Sequence, residues 1–137
     1  LDSSVDLNFG NVVALEGGGT VVLSAASTAV RTPSAVGLVP ANAGTVTAAK
    51  FTVTGESGVA FSISLPDNDD VVIKTGTGDT DAKKMAVTDF TVSLPALSAQ
   101  TLTSGTVDFY VGATLAVAAE QVAGDYTGDF SVTVTYD

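Results

Sequence analysis

The sequence predicts an all-β protein that forms one antiparallel β-sandwich domain over residues 1–137. Apolar and polar residues alternate with a period of two in many short segments. Gly, Pro, Asn and Asp separate these segments, and no 3.6-residue pattern is sustained. With 45% hydrophobic and only 15% charged residues, the chain is also unlike a disordered acidic segment. About nine short strands with such turns between them are typical of a sandwich.

The C-terminal segment shows the alternation most clearly. Its even positions carry mainly aromatic and aliphatic residues, namely Tyr126, Gly128, Phe130, Val132, Val134 and Tyr136. Its odd positions are polar, namely Thr127, Asp129, Ser131, Thr133, Thr135 and Asp137. This pattern predicts a strand with one buried face and one exposed face.

The same rule predicts the other strands. They are centred on residues 5–9, 21–23, 51–53, 59–65 and 107–117, the last including Phe109 and Val111. Another segment changes face between Val87 and Phe90, and a β-bulge near Thr88-Asp89 would return both halves to the core. We expect a turn at 118–121 and an exposed hairpin or loop at 67–84.

Composition and charge exclude several functions. Lys plus Arg is 5 and Asp plus Glu is 15, so the net charge is −10, which would repel the phosphates of a nucleic acid. No apolar run approaches the roughly 18 residues that span a bilayer, so we expect no membrane insertion. The chain begins at Leu1 without a signal-peptide pattern and is expected to be a mature, processed or truncated product.

The residues that usually carry catalysis are missing or unsupported. Without His or Cys, the chain lacks the commonest general base, the thiol nucleophile and the usual transition-metal ligands. Gly76–Asp81 resembles a phosphate-binding loop, but no Lys-Ser/Thr opens a helix after it. Paired carboxylates remain possible because Asp is plentiful, although no Trp is present to form a sugar platform. We expect no enzyme activity and no cofactor.

The run Asp67-Asn68-Asp69-Asp70 has two interpretations. Oxygen-rich turns can bind calcium, but the fifth and twelfth positions counted from Asp67 are Val71 and Gly78, which do not match a calcium loop. Asp and Asn also favour plain turns, because their side chains satisfy nearby backbone groups. We favour the plain turn over a weak divalent-ion site.

Several segments span almost the whole chain: 6–10 (DLNFG), 18–24 (GGTVVLS), 51–55 (FTVTG), 61–66 (FSISLP), 109–115 (FYVGATL) and 121–130 (QVAGDYTGDF). Taken in order, they resemble a secreted bacterial family, the domain of unknown function 4402. That family in turn resembles the pilin-like and spore-coat-type subunits of chaperone–usher systems. Such subunits tend to carry a Gly fourteen residues from the end and a Tyr next to last, as Gly124 and Tyr136 are here.

The resemblance implies an incomplete immunoglobulin-like sandwich that a strand from a neighbouring subunit completes. The function expected is then a structural subunit of an extracellular bacterial filament, assembled head to tail as a homopolymer. A periplasmic chaperone and an outer-membrane usher are the expected assembly partners. The alternative is a stand-alone adhesive or matrix-binding module at the cell surface.

Two sets of interface residues follow from the filament hypothesis. The donor candidates are Val5, Leu7 and Phe9, within a segment 1–10 that is either the donor or the first strand of the body. The candidates for the acceptor groove are Phe109, Val111, Gly124, Phe130, Val132, Val134 and Tyr136.

The plain-turn interpretation of Asp67–Asp70 predicts that chelation does not destabilise the protein. The melting temperature should be the same with and without EDTA, because no ion contributes to folding. A scan in each condition measures this, and a fall of several degrees with EDTA would contradict it.

Overall fold

The computed structural model describes residues 1–38 and 40–137, and within them it contains β-strands, two short 3-10 turns and no α-helix. The strands are β1 (Asp2–Val5), β2 (Asn8–Phe9), β3 (Val12–Val13), β4 (Gly19–Leu23), β5 (Arg31–Ser34), β6 (Gly37–Leu38), β7 (Val46–Thr47), β8 (Ala49–Thr54), β9 (Ala60–Ser64), β10 (Val72–Lys74), β11 (Lys84–Val92), β12 (Gln100–Thr101), β13 (Thr106–Val117) and β14 (Thr133–Tyr136). The 3-10 turns are Pro40–Asn42 and Asp81–Lys83. The prediction of an all-β, antiparallel sandwich is confirmed, and this arrangement is consistent with an immunoglobulin-like fold. None of the described helical turns is long and apolar enough to cross a membrane.

Strand β13 is the centre of the larger sheet. It has 12 residues, and its first half pairs with β8 while its second half pairs with β4 on the same edge. Strand β11 pairs along the opposite edge. The sheet extends outward to β1 beyond β8, to β10 beyond β11 and to β5 beyond β4. The unbroken alternation from Val107 to Val117 makes this long strand possible, because every second side chain points to the same face.

A second layer covers this sheet and produces two adjacent cores. It consists of the sheet β12-β9-β14 and the small pairs β2-β7 and β3-β6. The first core contains Phe9, Val21, Leu23, Val36, Val71, Val87, Ala113, Leu115 and Val117. The second core contains Ala49, Phe51, Val53, Phe61, Ile63, Leu102, Phe109 and Val111. Leu7, Phe90 and Phe130 pack against both cores and join them.

The predicted bulge is confirmed. The register of β11 against β13 shifts between Thr88 and Thr91, and Asp89 has a φ of +50°, a conformation that Asp tolerates better than most residues. The Asn68 side chain holds this position: its Oδ1 accepts the Asp89 N–H at 2.8 Å and its Nδ2 donates to the Asp89 carboxylate at 3.0 Å. Asn68 and its neighbours form the expected turn, in which Asp70 N–H donates to Asp67 O at 3.2 Å.

Two strand predictions need correction. The predicted C-terminal strand is regular only over Thr133–Tyr136, with one further bridge between Thr127 and Lys74. Thr133 pairs with Ser64, so the partner chain spans 65–73 while this segment spans only 128–132. The acidic turn accounts for the extra partner residues and leaves 128–132 without a ladder. The predicted strand 5–9 is likewise divided into β1 and β2.

The burial of β13 predicts that Val111→Ala is destabilising. Val111 is 0% exposed in the second core, so losing two methyl groups there should lower the free energy of unfolding by about 2 kcal/mol. Val22→Ala is the matched control, because Val22 is 43% exposed; it should stay within about 0.5 kcal/mol of the parent. Urea unfolding measures both, and equal effects would contradict the placement of the core.

Candidate functional site

An open groove of about 1220 Å³ runs between the two ends of the chain. One wall is the segment 3–14 and the other is the segment 121–130. The floor is apolar and comes mainly from the large sheet, through Ala49, Phe51, Ile73, Met85, Val87, Leu115 and Val117. The groove therefore lies where the second layer of the sandwich has a gap above the first core.

The N-terminal wall is held in place by specific polar contacts. Asn8 Oδ1 accepts the N–H of Gly10 at 2.8 Å, and Gly10 has a φ of +70°, which favours glycine. The Arg31 guanidinium donates to Phe9 O at 3.1 Å and to Asn11 O at 2.7 Å. Phe9 itself is only 8% exposed and anchors the wall in the first core.

The C-terminal wall is fastened by a side-chain clamp, which we define as Gln121 and Tyr126. Gln121 Nε2 donates to Ala82 O at 2.8 Å and to Lys84 O at 2.9 Å. The Tyr126 hydroxyl lies 3.0 Å from Gln121 Nε2, accepts from it, and donates to Val122 O at 2.6 Å. These bonds attach an irregular segment to the hairpin formed by β10 and β11.

Phe130 anchors the far end of the same wall. Its ring lies 6.2 Å from that of Phe51 in an edge-on arrangement and 5.2 Å from that of Phe90. Aromatic pairs at these spacings contribute beyond the area they bury. The clamp and Phe130 thus hold the two ends of the C-terminal wall in place.

Between these anchors the C-terminal segment presents an unpaired backbone edge. Thr127 exchanges hydrogen bonds with Lys74 at 2.8 and 2.9 Å, and Asp137 N–H donates to Ala60 O at 3.0 Å. Both of these residues are odd-numbered, so in an extended segment the even-numbered N–H and C=O groups point the other way. The backbone of 128–132 makes no hydrogen bond to any described residue. A strand laid along this edge would find free donors and acceptors.

The structure places the donor candidates in the groove wall. Val5 pairs with Lys50 in the β1–β8 ladder, Leu7 packs against both cores, and Phe9 is buried. Within this chain, Val5 thus lies in β1, Phe9 in β2 and Leu7 in the link between them.

Two of the seven acceptor candidates, Gly124 and Phe130, line the groove. The other five do not: Phe109, Val111, Val132, Val134 and Tyr136 lie outside it. Phe109 and Val111 are 0% exposed in the second core, because β9 and β14 close the sandwich there. Val132 and Val134 are half-buried against that core, and the Tyr136 hydroxyl donates to Thr54 O at 2.7 Å.

Sequence reasoning missed several groove residues. Val122, 39% exposed, and Val13, 45% exposed, both line it, as do Asp6, Asp125 and Asp129. The segment 121–130 could have been found from the family resemblance, because it is one of the segments that carry that resemblance. The alternation rule could not find it, because most of this wall is not a strand.

The chain's ion pairs lie elsewhere. Lys50 Nζ is 2.7 Å from Asp108 Oδ2; its hydrogen bond lowers the pKa of Asp108, and the same contact raises the pKa of Lys50. Lys74 and Lys84 both contact Asp79, at 3.1 and 3.3 Å, and hydrogen bonding first to Lys74 and then to Lys84 lowers the pKa of Asp79. The Asp79 and Asp108 carboxylates are exposed, Lys50 and Lys84 are half-buried, and such surface pairs contribute little to stability.

A comparison with protein families finds a match over nearly the whole chain. A family model described as "Domain of unknown function (DUF4402)" matches residues 1–136, both groove walls included. The chain belongs to this family. Searches of curated proteins and of solved structures found no match. The family description states no activity.

The clamp predicts that Tyr126→Phe destabilises the protein. Removing a partly buried hydroxyl that accepts from Gln121 and donates to Val122 O should lower the free energy of unfolding by about 1–2 kcal/mol. Tyr110→Phe is the control, since the Tyr110 hydroxyl bonds to no described residue; it should change stability by less than about 0.5 kcal/mol. Chemical denaturation of both variants measures this, and indistinguishable midpoints would contradict the clamp.

Proposed function

We propose that this protein is the structural subunit of an extracellular bacterial filament, in which a strand from a neighbouring subunit fills the groove. The single observation that carries the proposal is that a groove with an apolar floor is lined by 128–130, part of the segment 128–132 whose backbone is unpaired. Neither the groove nor the unpaired edge would indicate strand addition by itself. Together they offer an incoming strand both hydrogen-bond partners and pockets for alternate side chains, which is how strand addition achieves affinity and specificity.

The magnitudes favour a stable joint. Burying about three or four apolar side chains would contribute roughly 5–10 kcal/mol, against which the ordering of the donor must be set. Backbone hydrogen bonds along the free edge add to this, because their groups are unpaired in the isolated subunit. An unpaired backbone edge can pair with other chains and cause aggregation. A dedicated partner strand would prevent this by pairing with the edge.

The geometry also favours an open polymer. Donor strand and acceptor groove are different surfaces, so the contact is heterologous and head to tail, and repetition yields a fibre unless it closes into a ring. The proposal includes localisation at the bacterial cell surface. It also includes protection of the groove by a periplasmic chaperone and delivery through an outer-membrane usher.

The groove predicts stabilisation by peptides that mimic a donor strand. Uncharged peptides of about ten residues, with Val, Ile, Leu or Phe at alternate positions, should raise the melting temperature in a saturable way. Scrambled peptides that lose the alternation should not. If no alternating peptide shifts the melting temperature, and only another type of ligand does, the adhesive-module alternative is favoured and strand donation is contradicted.

Two matched variants separate binding from folding. Val122 is 39% exposed in the groove wall and Val22 is 43% exposed on β4 outside it. Val122→Asp should leave the isolated subunit's stability nearly unchanged but abolish the peptide effect, because an occupied groove would bury an unpaired charge. Val22→Asp should leave the peptide effect unchanged, whatever its own effect on stability. Full peptide stabilisation of Val122→Asp would contradict this location for the joint.

A further inference from the structure

The walls of the groove carry negative charge and no positive charge. Asp6 lies on the N-terminal wall, and Asp125 and Asp129 lie on the C-terminal wall. A second cavity of about 290 Å³ shares Asp129 and Phe130 with the groove and adds Asp70. All four carboxylates are exposed, and neither cavity is lined by Lys or Arg.

These four carboxylates have no cationic partner among the described residues. The five basic residues of the chain are engaged elsewhere: Lys50 with Asp108, Lys74 and Lys84 with Asp79, Lys83 with Thr77 O, and Arg31 with Phe9 O and Asn11 O. Arg31 lies behind the N-terminal wall and does not line the groove. The groove's acidic groups are therefore left for a partner from outside the subunit.

We infer that the groove selects a strand that carries Lys or Arg beside its apolar core. The inference rests on the proposed function and specifies the chemistry of its donor. A cleft lined by one sign of charge raises the local concentration of oppositely charged ligands and suppresses like-charged ones. The apolar floor sets the alternation of the donor, and the acidic walls set its charge.

This selection works against the chain's own residues 1–10 as donor. That segment contains Asp2 and Asp6 and no basic residue, so it would place like charges beside Asp125 and Asp129. It is also already held in its own subunit, through the β1–β8 and β2–β7 ladders. Residues 1–10 of a neighbouring copy are therefore a poor match for this groove, and the acidic walls disfavour like-charged strands.

Three peptides with one alternating apolar core and different ends test the inference. The ends carry two Lys, two Gln or two Glu. At low ionic strength the Lys peptide should bind roughly fivefold more tightly than the Gln peptide, and the Glu peptide more weakly than both. The differences should largely vanish at about 0.5 M NaCl, where charges are screened. A peptide of residues 1–10 should bind no better than the Glu peptide.

A pair of double variants locates the effect. Asp125→Asn with Asp129→Asn should reduce the preference for Lys over Glu ends while preserving binding of the Gln peptide. Glu16→Gln with Glu56→Gln removes the same net charge at exposed positions outside the groove and should leave the preference intact.

The outcomes of the two proposals are distinguishable. If the Gln peptide binds but the three peptides bind equally at low salt, the charge selection is wrong and strand donation stands. An equal loss of preference in both double variants would also overturn it, since net charge alone would then be responsible. If none of the peptides binds, strand donation fails and the charge selection fails with it.

Discussion

The pairing of β13 on both of its edges is the constraint on which the rest of the molecule depends. Its first half joins β8 and its second half joins β4, while β11 follows the other edge. Because one continuous strand serves both halves, Phe109 lies in the second core and Leu115 in the first. A second-layer sheet that covers only one half of β13 leaves the other half to be covered by other segments of the protein.

That division explains where the groove lies. The sheet β12-β9-β14 closes over the second core. The first core is covered by the small pairs β2-β7 and β3-β6 and by the irregular segment 121–130, and the groove runs between them. The floor of the groove at Val87, Leu115 and Val117 is apolar, and these side chains are at most 4% exposed.

The acidic turn links this gap to the bulge. The turn lengthens the chain between β9 and β10, and for that reason the segment 128–132 forms no ladder with the longer chain 65–73 opposite it. Asn68 of the same turn caps Asp89 at the bulge of β11. A stretch that looks at first like an ion-binding loop is thus involved in shaping the free edge. Its carboxylate at Asp70 then contributes to the negative lining beside that edge.

The sequence by itself determined the fold class, most strand positions and the bulge, because alternation with a period of two depends only on which side chains must be buried. The sequence could be used to predict that Phe109 and Val111 are buried, but not which cavity they face. A strand in a closed core and a strand that borders a groove have the same alternation of apolar and polar residues. Gly124 and Phe130, which belong to the segment 121–130 quoted for the family resemblance, line the groove. Only the tertiary structure decided that Val132 and Val134 pack against the second core while the backbone of 128–132 is unpaired. The physical reason is that the pairing of an edge depends on the length of the partner loop at Asp67–Asp70, a long-range relation that no local pattern encodes.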